Sequence, residues 1–97
     1  VGQVVWTAEA ERWLSEIHDH IADDNPAAAQ RTVRGIYERG LSLADSPERG
    51  YRHTSRSGEP LRILLYGHYR IAYSVDEDGD VIIVGVFHGA LDIERYL

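Results

Sequence analysis

The stretch from residue 61 to 75, Leu-Arg-Ile-Leu-Leu-Tyr-Gly-His-Tyr-Arg-Ile-Ala-Tyr-Ser-Val, constrains this chain more than any other. Two runs rich in branched and aromatic side chains flank Gly67-His68, and glycine tolerates the positive φ that a tight turn demands. The spacing predicts an antiparallel hairpin. With a two-residue turn, Tyr66 opposes Tyr69, Leu64 opposes Ile71 and Arg62 opposes Tyr73, and all six share a face with Val75. Leu61, Ile63, Leu65, Arg70, Ala72 and Ser74 share the other. Both faces are largely apolar, whereas a hairpin covered on one side alternates apolar with polar residues. A second cover is therefore expected, from elsewhere in the chain or from a partner. The register carries this inference, because a slip of one residue would exchange the faces.

The rest of the pattern fits around the hairpin. Val81 to Phe87 is apolar except for Gly85 and reads as a central strand ending at His88-Gly89, joined to the hairpin by the polar turn Asp76-Glu77-Asp78-Gly79-Asp80. Upstream, Gln3 to Trp6 reads as a short strand. Thr7 is placed to cap a helix over Ala8 to Ala22, with Glu9 and Glu11 in the first turn and Ala10, Trp13, Leu14, Ile17 and Ile21 on one stripe. Asn25-Pro26 stops and restarts the chain, since proline loses nothing at the first helical position. A second helix is predicted from Pro26 to about Ala44, burying Ala29, Val33, Ile36, Tyr37, Gly40 and Leu43 and exposing Arg31, Arg34 and Arg39. The irregular stretch from Pro47 to Pro60 has room for an edge strand near Tyr51 to Ser55, and the tail after Gly89 for one or two helical turns that dock through Leu91, Ile93 and Leu97. The expected fold class is α+β: an N-terminal strand and an antiparallel helical hairpin packed on a small antiparallel sheet, one domain over residues 1–97.

Composition narrows the function. The chain has no cysteine, so disulfide and thiol chemistry are excluded, and no apolar run is long enough to span a bilayer. No secretion-signal pattern opens the sequence, and cytoplasm is the expected compartment. The formal charge is −6, unevenly spread. Residues 31–70 hold eight arginines against four carboxylates, while the flanking segments hold twelve carboxylates against two arginines. Every basic residue is arginine. A basic island in an acidic chain either is a solvated surface or docks an acidic partner, with arginine supplying forked donors.

No phosphate loop, histidine pair on a helix or nucleophile elbow is present. His18 and His20 are two apart on a helix and diverge. Asp76, Asp78 and Asp80 resemble half a calcium loop, but the glycine is misplaced and the closing glutamate is missing, so a polar turn is the better reading. Neither metal nor cofactor is expected. The candidates that remain are Arg62, Arg70, Tyr73 and His88 on strands or at strand ends, with Arg49, Arg52 and Arg56 in the irregular stretch. Arg62 opposite Tyr73 could hold a carboxylate or phosphate, or Tyr73 could simply pack in the core. His88 could exchange protons near neutral pH, or hydrogen-bond to Asp92 as a structural strand end.

At these residues the chain resembles a known family. Val5-Trp6-Thr7, Asn25-Pro26 with Ala28-Ala29, Pro47 with Gly50, Leu61-Arg62, Tyr69-Arg70-Ile71-Ala72-Tyr73 and Val86-Phe87-His88-Gly89 with Asp92 form an ordered set similar to the RelE/ParE superfamily of type II toxins, nearer the ParE-like branch. The resemblance implies a toxin neutralised by a cognate, ParD-like antitoxin with an acidic amphipathic C-terminal segment, and DNA gyrase as target. Arg49, Arg52, Arg56, Arg62, Arg70, His88 and Asp92 would then contact target or antitoxin. Direct binding to nucleic acid is not expected, given the overall charge and the absence of lysine. The RelE-like alternative is a ribosome-dependent messenger RNA endoribonuclease, with Arg62 and Arg70 on the scissile phosphate and Tyr73 or His88 moving protons. A third possibility is a weakened relative that only binds antitoxin, because Ala90 and Leu91 stand where many relatives carry arginine.

Overall fold

A computed structural model describes residues 2–89 and 93–97. Its elements are β1 (Val4–Trp6), α1 (Ala8–Ala22), α2 (Pro26–Leu41), β2 (Tyr51–Thr54), β3 (Pro60–Tyr66), β4 (Tyr69–Val75) and β5 (Val81–His88), with 3-10 turns at Ser42–Ala44, Pro47–Arg49 and Ile93–Arg95. The strands form one sheet in the order β1-β5-β4-β3-β2. All pairs are antiparallel except β1 with β5, which run parallel.

Local sequence sets the helix boundaries. The Thr7 hydroxyl accepts from Ala10 N–H at 3.1 Å and donates to the Ile83 carbonyl at 3.0 Å, so one side chain caps α1 and pins it to β5. The Asn25 carboxamide accepts from Ala28 N–H at 3.0 Å, and Pro26 opens α2. That helix ends at Leu41, three residues before the expected boundary. Ser42 donates its hydroxyl to the Arg39 carbonyl at 2.6 Å, and the chain tightens into the 3-10 turn. Tyr37, expected inside, is 45% exposed because its ring stacks on Trp6 at the rim, 5.4 Å between centroids. Arg39, expected outside, is half-buried, lying over the Tyr66 ring and donating to the Leu65 carbonyl.

The hairpin has the register read from its sequence: Arg62 opposes Tyr73, Leu64 opposes Ile71 and Tyr66 opposes Tyr69. Gly67 takes a positive φ of 56° at the turn. The face bearing Leu64, Ile71 and Tyr73 packs with Ala10 and Leu14 of α1 and Ile36 of α2, and this is the main core. The opposite face holds a smaller cluster of Ile63, Ala72 and Phe87, covered by Ile93 with Leu97 beside it. So the chain itself supplies at least part of the second cover. Trp13 touches both clusters, meeting the Phe87 ring edge-on at 4.7 Å. It can do so because β1 pairs with β5 only as far as Ile83, leaving the later half of that strand edge to side chains. Leu65 stays 54% exposed on the second face.

The acidic turn after β4 is a local device. The Asp76 Oδ1 accepts from the N–H groups of Asp78 and Asp80 at 3.0 and 2.9 Å, Gly79 adopts φ 83°, and the Asp80 Oδ1 accepts from Gln3 N–H at 2.8 Å. The three carboxylates approach within 4.8 Å of one another, with two of them already engaged by backbone donors.

Candidate functional site

The β3–β4 hairpin carries the arginines and tyrosines singled out in the sequence, and its two ends use them differently. At the open end of the hairpin, where β2 joins, Tyr73 is fully buried. Its hydroxyl donates to the Pro47 carbonyl at 2.6 Å and accepts from Gly50 N–H at 2.8 Å. Beside it the Arg62 guanidinium donates to the carbonyls of Glu48 and Gly50 at 3.0 and 2.7 Å. The two side chains together hold the segment that connects the helices to β2. Gly50 is required here, since a Cβ would lie 2.7 Å from the Tyr73 hydroxyl and 2.8 Å from the Ile63 carbonyl. Burial pushes the Tyr73 pKa above its ordinary value. The bond from Gly50 and the charges of Arg62 and Arg49 pull the other way without cancelling it. Arg49 donates to the Ser42 hydroxyl at 2.6 Å.

At the turn end, His68, Tyr69, Arg70 and His88 gather. The His88 ring meets Tyr69 edge-on at 5.4 Å and stacks near His68 at 6.3 Å, while Arg70 donates to the Gly89 carbonyl at 3.3 Å. Gly89 N–H in turn donates to the His68 carbonyl at 2.6 Å, so the end of β5 is tied to the hairpin turn. Both histidines are exposed and Tyr69 is half-buried. A groove of about 360 Å³ opens there between α1 and the sheet, lined by Trp13, Glu16, Ile17, His20, Tyr69, Val86 and His88. Its walls are mostly apolar with a titratable rim, suited to a partner's side chain.

Of the residues proposed from sequence, Arg70 and His88 come together here. Arg62 and Tyr73 come together at the other end. Arg52 lies exposed on β2, and Arg56 follows that strand, its N–H bonding to the Leu97 carbonyl. Asp92, with Ala90 and Leu91, lies outside the described residues. Sequence reasoning passed over Tyr69, His68 and the groove residue His20. A signal for the first two was present, since a histidine in the turn and a tyrosine beside it must face the end of the next strand in a meander.

A five-stranded sheet of this order beneath a helical hairpin makes this a small α+β protein of one compact architecture. The chain belongs to the ParE family: residues 4–93 match the family described as the ParE toxin of the type II toxin-antitoxin system parDE. It is thus the toxin component of a type II toxin–antitoxin system in the RelE/ParE superfamily. Toxin RelE2 of Caulobacter vibrioides is 39% identical over 90 residues, covering 93% of this chain and 98% of that one. The fold also matches a chain from the chromosomal ParDE system of P. aeruginosa, with a TM-score of 0.71, 22% identity and coverage of 90% of this chain and 95% of that one. A chain of the toxin–antitoxin complex RelBE2 from Mycobacterium tuberculosis gives a TM-score of 0.68 at 22% identity, covering 90% of each.

Proposed function

We propose that this toxin inhibits DNA gyrase through protein–protein contacts and is neutralised by a cognate antitoxin whose acidic segment covers its arginine-rich surface. One observation carries the reading. Tyr73 and Arg62, two of the four residues a nuclease of this fold would draw on, are spent inside the molecule. A hydroxyl that is fully buried and bonded on both sides has no route to a substrate 2′-hydroxyl. The Arg62 guanidinium is held through Nη1 on two backbone carbonyls, which fixes it against the chain's own segment before β2. The family model and the match to a ParDE chain support the same branch. The groove beside Trp13, Tyr69 and His88 suits recognition of a protein surface, where aromatic anchors and arginine contribute most.

The turn-end cluster also supports a second reading. Arg70 with Tyr69, His68 and His88 could hold a phosphate and exchange protons, the ribosome-dependent RNA cleavage that the RelE-like alternative implies. Paired assays separate the two. Inhibition of gyrase supercoiling, with messenger RNA left intact during translation, is the expected result. Cleavage of messenger RNA that disappears in Arg70→Ala would overturn the gyrase reading. Silence in both assays, with tight antitoxin binding, would point to a relative that has kept only its partner.

A further inference from the structure

The sheet ends in two edge strands that differ in charge. β2 presents Arg52 and His53, whereas β1 is Val4-Val5-Trp6, with no charge and no proline. Charge, proline and bulges are the devices that keep strand edges from pairing, and β1 has none of them beyond its length of three residues. The hydrogen-bond phase of β1 follows from its two ends. Val81 N–H donates to the Gln3 carbonyl at 2.8 Å, and Thr7 N–H donates to the Ile83 carbonyl at 3.1 Å. Gln3, Val5 and Thr7 therefore turn their backbone groups toward β5, and the N–H and C=O groups of Val4 and Trp6 point outward. Apolar side chains border this edge on both faces of the sheet. Val4 and Trp6 pack on the main core beneath the helices, so Val5 stands on the opposite face, where it is exposed. On the helix side, the Trp6 ring stacks on Tyr37, and a Cβ on Gly40 would lie 2.8 Å from that same indole. Tyr37 and Leu41, one turn apart on α2, are both exposed beside it.

We propose that β1 pairs with β1 of a second copy of this chain, antiparallel about a twofold axis at Val5, joining the two sheets edge to edge. Only this register uses every outward group. Val4 of each copy lies opposite Trp6 of the other, and each such pair exchanges both of its backbone hydrogen bonds. Val5 meets Val5 of the second copy in the pairing where side chains stand closest. On the helix side, Tyr37 and Leu41 of the two copies close over the seam. An uncharged strand offers a charged segment no counter-charge, while an identical strand matches it apolar residue for apolar residue. The size of the contact fits a transient dimer. A strand of three residues with Tyr37 and Leu41 falls far short of the roughly 20–30 residues a side of a stable interface, so the Kd is expected at about 1 μM or weaker. The net charge of −6 on each copy opposes association, so salt strengthens this contact, the reverse of an acidic partner on the arginine surface.

Sedimentation of the full chain, from about 1 μM to about 1 mM, measures the association, with amide hydrogen exchange followed at both extremes. The expected result is a monomer–dimer equilibrium that tightens with salt, and exchange at Val4 and Trp6 that slows as the dimer forms. Val5→Lys and Val5→Glu alter an exposed side chain, so the fold is expected to survive, which circular dichroism checks. Each variant alone is expected to weaken self-association about tenfold or more, because like charges then stand directly opposite. An equimolar mixture is expected to restore it as a heterodimer of the two variants. A monomer throughout the range, a dimer that weakens with salt, a dimer as tight in both variants as in the wild type, or a mixture no tighter than either variant would overturn the proposal. Protection of Val4 and Trp6 only on addition of the antitoxin encoded beside the toxin would give this edge to that partner instead.

Discussion

The two ends of the central hairpin hold nearly the same side chains and put them to opposite uses. At one end Tyr73 and Arg62 face inward onto the Pro47–Gly50 segment and hydrogen-bond to the chain's own backbone. At the other, Tyr69, Arg70, His68 and His88 cluster where the sheet meets solvent. The difference lies in what the neighbouring elements supply. Where β2 joins, a proline- and glycine-containing segment brings carbonyls that need donors, and arginine and tyrosine provide them. At the turn Arg70 bonds the Gly89 carbonyl, and Tyr69 and His88 line the groove against α1. Both arginines are half-buried and bond backbone carbonyls, Arg62 those of Glu48 and Gly50 and Arg70 that of Gly89, so residue type does not tell which end is locked, whereas the backbone brought near it does.

The largest effect that should follow is the collapse of the locked end. Tyr73→Ala removes a fully buried ring and both of its hydrogen bonds, and should cost about 3–5 kcal/mol in urea unfolding. If it costs less than half of that, Tyr73 is not the clamp described. Gly50→Ala should cost about 1–3 kcal/mol, because the new methyl meets the Tyr73 hydroxyl and the Ile63 carbonyl and neither can withdraw.

Tyr73→Phe keeps the ring but strands Gly50 N–H and the Pro47 carbonyl, costing about 1–3 kcal/mol near neutral pH. It also sharpens the comparison through pH. Burial favours the neutral hydroxyl, so the folded pKa lies above the unfolded one. The unfolded chain therefore releases this proton first as pH rises. Stability is intact below the usual tyrosine range and declines from about pH 10 upward, until the folded group also ionises. In Tyr73→Phe the alkaline decline should be shallower than in wild type when unfolding free energy is followed across that range.

The smallest stability effect belongs to the exposed end. His88→Ala should change unfolding free energy by only about 0.5 kcal/mol. The same substitution should weaken gyrase inhibition at least severalfold in a supercoiling assay. A destabilisation as large as that of Tyr73→Ala would erase the distinction between the two ends.

The sequence by itself determined the secondary structure and the hairpin register. Gly67-His68 fixed the turn, and the period-two runs on either side fixed which residues face each other. Thr7 and Asn25 fixed the helix starts, since capping needs only a short polar side chain and the next few amides. The extent of α1 followed from its apolar stripe and β5 from its nearly unbroken apolar run. What only the tertiary structure decided was the fate of side chains whose partners lie far along the chain. Tyr73 finds Pro47 and Gly50, 26 and 23 residues away, and Arg39 finds Leu65, 26 residues away. Tyr37 fits the buried stripe of α2, yet ends at the rim because Trp6 reaches it from a strand that pairs in parallel across the sheet. Patterning reports how strongly a residue avoids water, a property of one position and its near neighbours. Which carbonyl satisfies a buried hydroxyl is settled by how distant segments are brought together, and only the folded chain contains that information.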